Sequence, residues 1–500
     1  MTKVIYKSIT DNLLAAHRTF SPLLASLAAL SALALLISPL PSQASSEQPL
    51  TDHLSTANVI LFIGDGMDEH QITMARNYLY GPTESFAMEQ MPVLSSVRVQ
   101  TLREDNPKQF RHVADSANTA STLATGMLTS KGRIATAAAS NKTHQTILEE
   151  AQQRGYRTGL VSTASLTDAT PAAFASHSPH RGCKSPKNMK TEYTFIPPTQ
   201  QCTYNQKAQG GVGSIVEQLA TANVDVLLGG GKHFFDQYVG DRTLLKITQI
   251  QGYTLLENTA DLLAEPGSDK LLLGLFSSKN LPVEWVGDDN RHAELITTND
   301  EGDAVFPTPF GCKPNPLHAA QQIPSLTQMA EKALRVLSKN NTKGFFLMVE
   351  GASIDKQSHA RNPCGQIGEL RAFDQAVAKG REFAAKHPNT LVIVTADHGQ
   401  AGQIIPLPES YQIASEAMHR PQYPTGYYAV LKTLSGELMG ISYATNASPQ
   451  GLWEMHTGTN VPAFMEGPGL DDVPITIDQR YIHGLMRRHL KLDQPLQKHP

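Results

Sequence analysis

The chain has 500 residues, with 42 Lys and Arg against 46 Asp and Glu and a formal net charge of −4. That length can bury a large core, and α/β units often reach it undivided. The near-balanced charge lacks the polycationic signature of a nucleic-acid partner and counts against that class of function.

At the N-terminus Lys3, Lys7 and Arg18 precede an apolar run from Leu23 to Ile37, and Ser42-Gln43-Ala44 fits the small-x-small pattern of signal cleavage. Residues 1–44 are therefore expected to be an export signal, leaving 45–500 as the folded unit. A retained membrane anchor is the competing reading, because the apolar run approaches spanning length.

Further along, the runs at 57–64, 157–163, 224–229, 344–349 and 390–396 are apolar without strict alternation, as in strands covered on both faces. Helix-like segments separate them at Ile147–Arg154, Gly213–Thr221, Leu326–Leu337 and Ile367–His387. This order predicts a three-layer α/β/α sandwich with a largely parallel central sheet. Ligands of such sheets bind beyond the carboxyl ends of the strands. Asp65, the stretch from Ser162 to Asp168, Glu350 and Asp397-His398 all fall at those ends, so they are expected on one edge. Segments near 183–210 and 280–320, rich in Pro, Asn, Lys and Gly, are expected on the surface, and 266–307 carries no readable motif.

Cys183, Cys202, Cys312 and Cys364 form an even set, which in an exported chain points to two disulfides. Sequence order pairs Cys183 with Cys202 and Cys312 with Cys364. No Cys-x-x-Cys spacing suggests a thiolate metal site.

Asp115-Ser116-Ala117 places a hydroxyl in a small-residue turn directly after a carboxylate. The tripeptide alone means little. A serine sharing a site with Asp, Glu and His, however, points to metal-assisted transfer of a phosphoryl-like group. Asp355 and His359 stand at i and i+4, one helix face, where they can chelate Zn²⁺ or simply pair in solvent. Asp397-His398 supplies a hard and a borderline ligand together, with Gly399 allowing a tight turn. Taken singly, His456 reads as a loop histidine, Thr170-Pro171 as a turn, Arg181 as a surface cation and Lys356 as a solvated helix charge.

In chain order, Ile63-Gly64-Asp65-Gly66-Met67, Asp115-Ser116-Ala117, the Thr167–Ala173 stretch, the Val349–Gln357 stretch, Thr395-Ala396-Asp397-His398 and His456-Thr457-Gly458 resemble the bacterial alkaline phosphatases. The likeness runs from about residue 57 to the C-terminal region. It implies a periplasmic or secreted, homodimeric phosphomonoesterase of small-molecule phosphate esters, with residues 45–500 as its catalytic domain. It also implies two Zn²⁺ and one Mg²⁺ per subunit. Asp355, His359 and His456 would hold the first Zn²⁺, and Asp65, Asp397 and His398 the second. Asp65 would bridge to a Mg²⁺ held by Thr170 and Glu350, with Asp168 acting mainly through metal-bound water. By the same resemblance Ser116 would become a phosphoserine and Arg181 would hold two phosphate oxygens.

Two alternatives stand beside this reading. A phosphodiesterase or sulfatase of the same superfamily would commonly use Thr or a modified Cys where this chain has Ser116. A non-catalytic periplasmic phosphate-binding protein would have no need of Ser116 together with every expected ligand. One departure is Asp68, where the family usually has Gly; it is expected to cap a helix running to Tyr80 rather than to bind metal.

Overall fold

A computed structural model describes residues 56–494 except 192–195, 268–269, 301–302 and 408–422. The expected signal at 1–44 lies outside the described residues. Among those described, no helix is long and apolar enough to cross a membrane.

The central sheet has ten strands. They are β1 (Ala57–Gly64), β2 (Val93–Arg98), β3 (Arg157–Ser165), β4 (Val226–Gly230), β5 (Tyr253–Leu256), β6 (Leu271–Leu275), β7 (Gly344–Gly351), β8 (Thr390–Ala396), β9 (Val461–Glu466) and β10 (Thr476–Asp478). Across the sheet they run β10-β2-β9-β8-β1-β7-β3-β4-β6-β5. All neighbours are parallel except that β9 runs against both β2 and β8. Every residue of β1, β7 and β8 is buried, which explains why their sequences are apolar without alternating.

The helices that bear on the site are α1 (Glu69–Leu79), α2 (Ser116–Thr125), α3 (Ile147–Gln153), α4 (Ala169–Ala175), α5 (Leu326–Ser338), α6 (Ser353–His359), α7 (Pro363–Lys386) and α8 (Gln479–His489). One layer joins α1 and α5 through α7, and the other joins α3, α4 and α8 through α2, giving the sandwich. Local chemistry sets their starts. Asn362 accepts from Gly365 N at 3.1 Å to cap α7, whose first residue is Pro363, a position where the missing N–H costs nothing.

Five strands of the sheet were not anticipated: β2, β5, β6, β9 and β10. Strands of three to five residues, as in β5, β6 and β10, are too short for a periodic signal. Within the segment from 266 to 307, which carried no readable motif, Leu271–Leu275 is a largely buried core strand. Both disulfides pair as sequence order suggested, Cys183 with Cys202 and Cys312 with Cys364.

Register brings the motifs together. Ile63 pairs with Glu350 on one side and Thr395 on the other, and Glu350 pairs in turn with Ser162. The carboxyl ends of β8, β1, β7 and β3 are therefore level, and Asp65 and Asp397 leave adjacent strands at the same height. Glu350 itself lies inside β7, one residue before its end.

Candidate active site

Ser116 is the first residue of α2. Asp115 caps that helix: its Oδ1 accepts from Asn118 N at 3.1 Å, while Asn118 Oδ1 accepts from Asp115 N at 2.9 Å. The reciprocal bonds hold the buried serine at a helix N-terminus, where partial positive charge favours an anion. Its Oγ lies 3.1 Å from His398 Nε2 and 3.4 Å from Asp65 Oδ1.

Three imidazoles surround this position, and their backbone partners set their tautomers. Nδ1 of His359 meets Glu454 O, Nδ1 of His456 meets Ala114 O at 3.0 Å, and Nδ1 of His398 meets Gly399 O at 3.2 Å. A carbonyl only accepts, so each Nδ1 carries the proton and each Nε2 presents a lone pair to the site. Nε2 of His359 and Nε2 of His456 face each other at 3.1 Å, and both lie within 3.4 Å of Asp355 Oδ1. Two lone pairs and a carboxylate converging in this way match a cation site. The ligand atoms of Asp355, His359 and His456 form one such group, and those of Asp65, Asp355 and His398 a second. Asp355 thus joins both. α6 makes this possible, since its Asp355 and His359 project from one face.

Asp397 stands outside both groups but beside His398. Its Oδ1 accepts from Gly66 N at 2.9 Å and His398 N at 2.8 Å. Its Oδ2 is buried without a hydrogen-bond donor, 3.3 Å from His398 Nε2. Thr170 Oγ1 is buried beside Glu350, whose carboxyl it hydrogen-bonds. An orphaned oxygen such as Asp397 Oδ2 is what a bound cation satisfies. Electrostatics give the same answer. Burial pushes the Glu350 carboxyl up to about 7 and the Asp397 carboxyl up to about 6. Burial, with repulsion from Asp397 and Asp355, raises Asp65 well above the ordinary range. Carboxylates crowded this way need positive charge nearby.

A separate cluster of cations lies beside them. Asp168 Oδ1 is 3.0 Å from Lys184 Nζ and 3.4 Å from Arg181 Nη2, and Asp168 Oδ2 is 3.3 Å from Lys356 Nζ. Burial alone would raise the Asp168 carboxyl, but Lys184, Lys356 and Arg181 overcome it and hold the group well below the carboxylate range. Asp168 stands in neither ligand group. Arg181 also reaches Asp115 Oδ2 at 3.4 Å, and both of its contacts are long enough to yield to a tighter anion.

Sequence reading overlooked Gln400, whose Nε2 donates to Asp355 Oδ1 at 2.6 Å, and Lys184, whose Nζ pairs with Asp168. Gln400 sits two residues beyond His398, and that proximity was the available signal. Asp68 takes the expected capping place: Oδ1 accepts from His70 N at 2.8 Å. Its Oδ2 also accepts from Gln400 N at 3.1 Å, which steadies the turn after His398. Gly66 has φ +70°, and a Cβ there would stand 3.0 Å from Cβ atoms of Asp355 and Gln400, so this position demands glycine.

The family model of alkaline phosphatase matches residues 56–492. The chain is 39% identical over 454 residues to the alkaline phosphatase of Escherichia coli strain K12, covering 89% of this chain and 88% of that protein. It is 37% identical over 475 residues to the streptomycin-6-phosphate phosphatase of Streptomyces griseus, covering 92% and 96%. The crystal structure of Thermus thermophilus alkaline phosphatase matches with a TM-score of 0.61 at 19% identity, covering 91% of this chain and 96% of that one, and bears on the fold alone.

Proposed function

The chain belongs to the alkaline phosphatase family and is a metal-dependent phosphomonoesterase, and from that premise we propose that it works through a phosphoserine at Ser116. The observation that carries the proposal is the placement of Ser116 Oγ, buried at a helix N-terminus between His398 and Asp65.

In this reading Asp355, His359 and His456 hold one Zn²⁺, Asp65, Asp397 and His398 a second, and Asp65, Thr170 and Glu350 a Mg²⁺. When bound, these cations supply Lewis-acid stabilisation of anionic oxygens. The remaining work falls to the chain. Asp115 fixes Ser116 through the helix cap, so Oγ approaches phosphorus from one direction. Arg181 exchanges its long contacts for two phosphate oxygens, a planar fork meeting a tetrahedral anion. Lys356 offsets the charge of the transferring group, and Asp168 holds Lys356, Lys184 and Arg181 in place. Ser116 gives up its proton, the Oγ–P bond forms, and the ester oxygen leaves as the protonated alcohol. Water then attacks phosphorus, breaks the Oγ–P bond and releases inorganic phosphate with the serine restored. Two in-line displacements give net retention at phosphorus.

The same proposal includes export through residues 1–44, a periplasmic or secreted location for the 45–500 catalytic domain, and a homodimer. The N-terminal pattern and two disulfides support the compartment, and family membership supports the dimer.

Acid quenching during turnover should trap phosphate on Ser116, and a phosphorus-chiral substrate should be processed with retention. Inversion would mean direct attack by water and would remove Ser116 from the nucleophile's role.

A further inference from the structure

Resting on the phosphatase reading, we propose that a cavity beginning at Asp115 is a subsite for a second anionic group carried on the alcohol portion of the substrate. The cavity has a volume of about 350 Å³, and its lining includes Arg111, Asp115, Lys131, Gly132, His180 and Gln200. Asp115 directly precedes Ser116, so this space opens beside the helix start that carries the nucleophile rather than on a remote face.

The wall bearing Lys131 is tied to that position. Gly132 N donates to both carboxylate oxygens of Asp115, each at 3.1 Å. Gly132 O accepts from Arg181 N at 2.6 Å. One glycine therefore anchors the lysine's neighbour to the residue before Ser116 and to the arginine placed for phosphate. Gln200 Nε2 donates to Lys131 O at 2.7 Å and braces the loop from the other side.

Charge selects the kind of ligand. Glu104, also on the lining, is taken up by Arg133, Ser130 and Thr199. Asp115 is taken up by Asn118 N, Gly132 N and Arg181. Arg111 and Lys131 have no ion-pair partner among the described residues, whereas their neighbours Arg103 and Arg133 are paired. Both cations also line an adjoining cleft of about 480 Å³ with Arg103 and His112. Burial lowers the pKa of Lys131; the carboxylate of Asp115 opposes that and the like charge of Arg111 adds to it. Two cations near each other and outside any contact ion pair, with only the already engaged Asp115 and the Arg103-paired Asp105 acting on them from a distance, suit a phosphate or carboxylate. The volume has room for that group and a short carbon chain.

The test uses the intact enzyme and two matched series, the monophosphates of ethanediol through hexanediol and the corresponding α,ω-bisphosphates. KM is expected to be about tenfold lower for the bisphosphate at one favoured chain length. That preference should shrink in Arg111→Ala and in Lys131→Ala, and at high ionic strength. Lys131→Gln keeps the stem and should lose the preference as Lys131→Ala does, separating charge from packing. ω-Phosphorylated carboxylic acids of the same lengths distinguish carboxylate from phosphate recognition. Equal KM values for the two series in the wild type would overturn the subsite, as would an unchanged preference in the Arg111→Ala/Lys131→Ala double variant. Phenyl phosphate is assayed alongside: if the wild type fails to hydrolyse it, the phosphatase reading falls, independently of the subsite.

Discussion

Asp397 divides its two oxygens between structure and chemistry. Oδ1 is consumed by the backbone N–H groups of Gly66 and His398, while Oδ2 stays buried without a donor and faces the site. Asp355 is steered in a comparable way by Gln400, whose amide pins Oδ1. Removing such an orienting bond generally weakens metal affinity about ten- to hundredfold. Gln400→Ala is therefore expected to release Zn²⁺ to a chelator at lower chelator concentration than the wild type, while Gln400→Glu, which cannot donate in its ionised form, should be worse. Unchanged retention of metal by Gln400→Ala would show that Asp355 needs no such support.

Away from the site, Glu104 and Arg133 form a buried pair with bonds of 2.8 and 2.6 Å. Burial alone would raise the Glu104 carboxyl, but hydrogen bonds from Arg133, Ser130 and Thr199 hold it at about 2 against an ordinary 4.5. A carboxyl whose pKa falls on folding adds stability that is complete above its unfolded pKa and disappears as pH drops through its folded one. The contribution should thus be lost between about pH 4.5 and pH 2. Glu104→Gln strands a fully buried Arg133 and is expected to cost about 3 kcal/mol at neutral pH. Urea melts across pH should show the two proteins converging in acid; a difference that stays constant to pH 2 would contradict the linkage.

Among elements, the loop after α4 holds the most function for its size. Arg181 lies on it, and the Cys183–Cys202 bridge closes its continuation with a separation of 19 residues. A bridge over such a loop stabilises by about 3 kcal/mol, mainly by restricting the unfolded chain. Cys183→Ser/Cys202→Ser should lose about that much in denaturant titrations. Because Cys183 is two residues from Arg181, the variant should also raise KM for phosphate esters more than it lowers kcat. A variant with altered stability and an unaltered KM would separate the bridge from the arginine's position.

For the whole molecule, one sheet edge concentrates Asp65, Glu350, Asp355 and Asp397 in buried positions, a concentration of negative charge that bound cations would balance. Exhaustive chelation is accordingly expected to abolish phenyl phosphate hydrolysis and to lower Tm, since a ligand that binds only the folded state adds to its stability. Zn²⁺ should restore most activity, and Mg²⁺ should enhance the restored enzyme without replacing Zn²⁺. Full turnover in protein shown by elemental analysis to be metal-free would contradict the whole arrangement.

Much of this was legible in the linear chain. Strands such as β1, β7 and β8 announce themselves because residues buried on both faces must be apolar throughout, and Asp355 with His359 share a face because the helix repeat requires it. Asp68 as a cap followed from its place before α1. These are local consequences of backbone geometry, and local sequence encodes them. The tertiary structure alone decided which distant groups meet. His359 and His456 face each other across 97 residues, and Ser116 lies against His398 across 282. The short strands β5, β6 and β10 also depend on neighbours for their identity, having too few residues to show a period. Likewise, Gln400 as a partner of Asp355 and the grouping of Arg111 and Lys131 with Asp115 around one cavity became visible only in three dimensions. The physical reason is that periodicity records whether a residue is buried, whereas strand register and helix packing determine beside what, and those are properties of the assembled sheet.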